Sequence, residues 1–306
     1  MSDAGPPPDA AASGGSHARA LAVLVCGACA IAFAPIFVRW TGTGAAAAGF
    51  WRLGLAIPAL AVLTALNRGP GGGAPLGRPT RLALLAGLFF ALDIGFWHYG
   101  IRLTTVANAT ILANLSPVFV VAGAWLLLKE RPGRGFLAGM ALALLGTWVL
   151  AEASGGRQGL DPALGDSLSV VTAVWYAAYM LTVRRARAGQ TASEIMFWSS
   201  AVGAPLLLAA ALALHERILP TTALGWAACV GLGAVHVIGQ GAIAWALGRL
   251  PAATASVVIL AQPVLAAALG WLIFSEPLAA MQIAGGVAAL SGVVLAQLAA
   301  RRSGAT

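Results

Sequence analysis

Ten long apolar runs follow one another along the chain, joined by short connections that bear Arg, Gly or Pro. They lie at 20–39, 46–66, 81–101, 106–128, 135–151, 164–184, 194–214, 222–247, 252–274 and 278–299. A run of about 20 apolar residues has the length of the hydrocarbon core of a bilayer. There the backbone has no water to bond, so a single run is stable only as a helix that closes its own hydrogen bonds. With 59% hydrophobic and 9% charged residues, a water-soluble surface cannot be built. The pattern predicts an all-α integral membrane protein with ten transmembrane helices, embedded in a lipid bilayer.

The remaining polar stretches leave no room for a separate soluble domain. Residues 1–18 are rich in Pro, Ala, Gly and Ser and predict a disordered cytoplasmic tail. That tail lacks a basic n-region, so the first span is expected to stay as an uncleaved anchor. The other stretches are the loop from Asn67 to Thr80, the loop at 152–166, and a short C-terminal tail at 301–306.

A net charge of +8 in a soluble chain would suggest nucleic acid. Here Lys and Arg sit between spans and set topology instead, so no nucleic-acid partner is expected. With the N-terminus inside, thirteen basic residues fall on the cytoplasmic side, among them Arg68, Arg134, Arg184, Arg185, Arg249 and Arg301. Only Arg39, Arg102, Arg157 and Arg217 fall outside, and Arg52 lies within a span. The expectation is a bacterial inner-membrane protein with both termini cytoplasmic. Cys26, Cys29 and Cys229 all lie in apolar runs, where packing accounts for them without a disulfide or thiolate metal site.

The fourth and fifth runs match the ninth and tenth at a constant offset. Ala107 falls on Ala253, Pro117 on Pro263, Trp125 on Trp271, Glu130 on Glu276, Gly139 on Gly285 and Gly146 on Gly292. This is a duplicated unit. Each half holds an odd number of spans, five, so the second must lie inverted relative to the first. The predicted architecture is two inverted five-helix repeats, 19–151 and 164–300, around a central cavity. Around Glu130 the first half carries Lys129 and Arg131 where the second has Ser275 and Pro277, as expected for opposite membrane faces.

The segments FWRLGLAIPALAVL at 50–63, ANLSPVFVVAGAWLLLKERP at 113–132 and AQPVLAAALGWLIFSEPLAAMQIAGGVAALSGVVLA at 261–296 carry a resemblance. With AFAPIFVRW in the first run, they resemble the drug/metabolite transporter superfamily in its ten-span EamA-type branch. The resemblance implies ten helices, cytoplasmic termini, a central cavity, and transport, often outward, of amino acids, nucleobases or other small metabolites.

Among residues that could bear chemistry, Asp93 stands out, since a carboxylate deep in a span costs about 3 kcal/mol on insertion scales and faces a cavity or a partner. Phe89, Asp93, Trp97 and Gly100 fall on one helical face. His98 points about 140° away, near the outer end of the same span. Counted from the outer ends, Arg52 and Asp93 lie about 8 and 12 Å deep, so a static ion pair is an alternative to a titrating role. His236 and Gln240 share a face of the eighth run, and Gln240 falls one position from the repeat image of Asp93.

Pro117 and Pro263 should kink the fourth and ninth spans, freeing the carbonyls of Ala113 and Ile259 beside Asn114, Ser116 and Gln262. Trp175, Tyr176 and Tyr179 could stack on a bound molecule or simply pack. Glu130 and Glu276 precede the fifth and tenth helices, where a carboxylate suits the positive end of the helix dipole.

No zinc-binding H-E-x-x-H, nucleophile elbow, phosphate loop or paired intramembrane aspartate occurs, so neither an enzyme nor an ATP-driven pump is expected. No cofactor or metal is called for. The sequence points to a secondary-active transporter, an exporter of a small-molecule substrate, coupled to protons or working by exchange, as a monomer or homodimer. An intramembrane enzyme and a non-transporting sensor or assembly protein on the same fold are the alternatives.

Overall fold

The computed structural model describes residues 8–67, 77–104, 109, 112–153, 161–274 and 279–303. Arg68, Ala107, Arg157, Ser275, Glu276 and Pro277 lie outside the described residues, as do residues 1–7 of the tail, 68–76 of the loop predicted at 67–80 and 154–160 of the loop predicted at 152–166. Every element found is helical. The first half comprises α1 (Pro8–Ile31), α2 (Ala34–Thr41), α3 (Ala45–Gly54), α4 (Ala56–Leu66), α5 (Arg81–Leu103), α6 (Ser116–Leu128) and α7 (Arg134–Glu152). The second comprises α8 (Pro162–Ala186), α9 (Ala192–Ala213), α10 (Ala223–Val235), a π-helical turn (His236–Gln240), α11 (Gly241–Leu247), α12 (Ala252–Ile259), α13 (Ala261–Phe274) and α14 (Ala280–Ser303).

Among the described residues, eight helical stretches are long and apolar enough to cross a membrane; α6 and Arg134–Leu150 of α7 are shorter apolar helices. Helix α1 begins at Pro8, so part of the expected disordered tail is helical instead. Pro at a helix start loses no bond, and the Ala-rich segment behind it has high helix propensity.

Several spans are interrupted. The first breaks after Ile31 and restarts at Ala34 with Pro35 in the opening turn of α2. The second breaks at Leu55, between α3 and α4. The expected kinks at the two repeat-related prolines are full breaks: Asn114 and Leu115 form a turn before α6, and Leu260 forms one between α12 and α13. Pro117 and Pro263 therefore occupy the first turn of a new helix, where a missing N–H leaves no intrahelical bond unmade.

Helices α7 and α14 form the tightest seam. A Cβ on Gly146 would run into the backbone of Ala288 and Ala289, and one on Gly292 into that of Ala143. Gly139 is likewise closed off by Ala296, and Gly285 by Leu150 and Gly146. The contacts run antiparallel and reciprocate: moving either partner by the repeat offset exchanges one contact for the other. Without a hydrophobic force between helices in lipid, close approach of small residues is what holds such a pair.

The ends of the bundle are tied by carboxylates that cross between the halves. Glu216, after α9, accepts from the Ala47 N–H at 3.0 Å and the Tyr99 hydroxyl at 2.8 Å. At the other end Glu130 accepts from the Ala252 N–H at 3.1 Å and lies 3.5 Å from Arg184 Nε. Glu130 thus serves the N-terminus of α12 and not that of the fifth helix expected from its place in the sequence. The chain after α6 turns through Lys129 at φ 59°, which carries the following carboxylate away from α7.

Replacing Gly146 or Gly292 by Leu should overpack the seam by about 1–3 kcal/mol or more, lowering the apparent Tm of detergent-purified protein. Gly95→Ala, where a Cβ meets only Leu207 Cδ2 at 4.0 Å, should leave it within error in the same assay.

Candidate functional site

Five elements meet near the middle of the bundle, and each delivers polar or aromatic side chains there. Helix α3 brings Arg52 in its last turn, just before the break at Leu55. Helix α5 brings Phe89, Phe90 and Asp93; α8 brings Trp175, Tyr176 and Tyr179; α9 brings Ser200; and the π turn brings His236 and Gln240. A π turn places one extra residue in a helical circuit, and such insertions recur at functional sites. Here both polar residues bounding it are buried, His236 fully and Gln240 to 1% exposure.

The π turn is seated by close backbone approach. A Cβ on Gly239 would meet Ile31 and the Gly27 carbonyl of α1, and one on Gly27 would meet Ala242 and the Gly239 carbonyl. Gly233 brings α10 against Leu55, at the break beside Arg52.

Phe90 is the hub of the cluster. Its ring stacks on His236 with centroids 5.3 Å apart, tilts against Tyr179 at 4.7 Å, and lies beneath the Arg52 guanidinium at 5.6 Å. Tyr176 and Tyr179 stack on each other at 6.0 Å, and Phe89 stacks on Trp175 at 5.8 Å. Ser200 Oγ and His236 Nε2 share a hydrogen bond of 3.1 Å.

Arg52 is 8% exposed, yet its guanidinium makes no hydrogen bond among the described residues, and Nε is fully buried without a partner. Asp93 is half-buried and within Coulombic reach of Arg52 and both tyrosines. No direct ion pair joins Asp93 to Arg52 among the described residues, so the static-pair alternative is not the arrangement found. Gln240 lies beside both tyrosine hydroxyls, but its Nε2 has no hydrogen-bond partner.

Arg52, Asp93, Tyr176, Tyr179, His236 and Gln240 from the sequence reading therefore converge. Other candidates lie elsewhere. His98 is 4% exposed and its Nδ1–H donates to the Ala45 carbonyl at 2.7 Å, which fastens α5 to the start of α3. Trp97 packs on that imidazole at 5.2 Å. Asn114, Ser116, Pro117, Gln262 and Pro263 stand at the two proline breaks, with no described contact to the Arg52 cluster. Asn114 Nδ2 and Gln262 Nε2 are buried there without partners.

Phe90 and Ser200 were not singled out by sequence. A phenylalanine in an apolar run carries no signal. Ser200 left only the trace of a small polar residue amid Trp198, Ala201 and Val202.

Among the described residues no group of three or more metal-ligating side chains is assembled. The profile of the EamA-like transporter family matches residues 18–151 and again 163–298. Among curated proteins, the chain is similar to the pseudopaline exporter CntI of Pseudomonas aeruginosa, 29% identical over 212 residues, covering 67% of this chain and 71% of the exporter. It is also similar to an uncharacterized transporter of Archaeoglobus fulgidus, 26% identical over 276 residues, 90% of this chain and 95% of that one. Among solved structures, one crystal structure superposes with a TM-score of 0.77 at 22% identity, covering 93% of this chain and 98% of the other, which shows a shared fold.

Ser200→Ala removes the one hydrogen-bond partner that the buried His236 ring has among the described residues and should cost about 1–3 kcal/mol. Denaturant unfolding in micelles should show a lowered midpoint with an unchanged slope.

Proposed function

The chain belongs to the EamA-like transporter family, and from that premise and the Arg52–Asp93 site we propose that it is a secondary-active exporter of a small metabolite, working by alternating access with protons coupled through Asp93. The observation that carries this reading is the half-buried Asp93 carboxyl, set in the bundle interior near a buried arginine it does not touch. A carboxylate free of a direct ion pair can take up a proton or a cationic group. Competition between the two for one carboxylate is the simplest chemistry of proton-driven export: the proton entering from outside displaces the substrate released there.

The alternating-access reading is supported by the reciprocal α7–α14 contacts. Under a two-fold axis in the membrane plane, the two repeats, 19–151 and 164–300, exchange their contacts and so support two conformations of similar energy. The segment 152–166 is then the link between them. The breaks at Asn114–Leu115 and Leu260 fit discontinuous spans that line a transport path. Export as the direction is supported by the relative named as an exporter. The asymmetry of Arg and Lys between the two sides supports cytoplasmic termini in an inner membrane. The family and the named relatives are transporters, so the enzyme alternative is not carried further.

The test begins with a thermal-shift screen of purified protein against amino acids, nucleobases and polyamines, since a compound that binds only the folded state raises Tm. A stabilising compound is then offered to inside-out vesicles. Uptake should rise when the lumen is acidified, and Asp93→Asn should flatten that dependence while leaving the protein folded. Transport by Asp93→Asn with the wild-type pH profile would remove Asp93 from the coupling.

A further inference from the structure

We propose that the exported compound carries a carboxylate, and that Arg52 and Gln240 form the subsite that grips it. The proposal rests on the transporter reading and adds the chemical class of its substrate.

The argument starts from groups whose hydrogen-bonding capacity is unspent. A buried guanidinium is stable when its charge is compensated and its N–H groups have acceptors. Arg52 has neither an acceptor nor an ion pair in contact among the described residues; what it touches is the face of Phe90. Gln240, more deeply buried still, also keeps an N–H donor unpaired at Nε2.

The two donors belong to one cluster. The Arg52 guanidinium lies 5.6 Å over the Phe90 ring, which packs on Tyr179 at 4.7 Å and stacks on His236 at 5.3 Å, and Gln240 closes the π turn that His236 opens. Arginine offers its N–H groups as a planar fork that matches a two-oxygen acceptor. A neutral amide beside it adds a third donor without adding charge.

Charge decides between oxyanions. Among the described residues the cluster holds one cationic side chain, Arg52, and one acidic side chain, Asp93. A doubly charged phosphate would leave an excess of negative charge in a low-dielectric interior, which is unfavourable. A carboxylate on Arg52 balanced by an ammonium facing Asp93 leaves none. The rings of Phe90 and Tyr176 around these groups suit the apolar body of such a zwitterion.

The test uses full-length protein in detergent and two matched triads: L-histidine, L-histidinamide and histamine, and L-tryptophan, L-tryptophanamide and tryptamine. Within each triad the ring and the amine are held while the carboxylate is neutralised or removed. At least one acid should raise Tm, with its amide and amine about tenfold weaker or more, because unsatisfied buried donors discriminate strongly. Arg52→Gln should abolish the shift, and Arg52→Lys, which keeps the charge but not the fork, should restore only part of it. Gln240→Leu, a second and independent probe should the Arg52 variants fold poorly, should weaken binding of the acid and leave that of its amide unchanged.

The proposal is overturned if neither acid raises Tm, if amide or amine binds as well as acid, or if both acids stabilise Arg52→Gln or Gln240→Leu as they do the wild type. The transporter reading has its own arm. Asp93-dependent, pH-driven flux of an amine such as histamine or spermidine into inside-out vesicles would sustain it while the carboxylate subsite fails.

Discussion

A peptide group in hydrocarbon has no water to bond, so every break in a spanning helix of this chain has to be covered by protein. That constraint organises the fold. The break at Leu55 is met by Gly233, and the one after Ile31 by Gly239 and Gly231, the latter against Phe37. Leu260, at the break between α12 and α13, is 1% exposed. Interruptions that would be ruinous on a lipid-facing helix are affordable here because glycines on the facing helix let the backbones come close. The same interruptions bring buried polar atoms of Asn114 and Gln262 to the two proline breaks.

The interior site shows a second constraint. Burying an arginine is costly, and the chain offsets the cost only in part, with the Phe90 face below it and Asp93 at Coulombic range. Had Asp93 been drawn into a direct pair, each charge would have quenched the other. The surrounding tyrosines, the Ser200–His236 bond and the π turn fix the geometry around these two charges without neutralising them.

The ends of the bundle follow a different logic. Glu216 and Glu130 each bind a helix N-terminus belonging to the other half, at opposite ends of the molecule. A carboxylate at an orphaned N–H is a stable cap. Each such tie sits at a helix end, whereas the glycine contacts of α7 and α14 run along both helices.

Hydrophobic run length by itself determined that the chain is a helical membrane protein, because a backbone in lipid has so few ways to satisfy itself. The spacing of Pro117 with Pro263 and of Gly146 with Gly292 made the duplication legible, since those residues mark backbone requirements that side-chain drift does not erase. Asp93 and Arg52 were legible as well, a charge inside a span being expensive enough to demand a reason. Only the tertiary structure decided that the two do not touch, that His98 fastens α5 to α3, and that Glu130 caps α12. It also brought Phe90 and Ser200 into the site. These depend on how far one helix is rotated and slid against another. That is set by contacts between segments 36 to 122 residues apart, and no local pattern of residues encodes it.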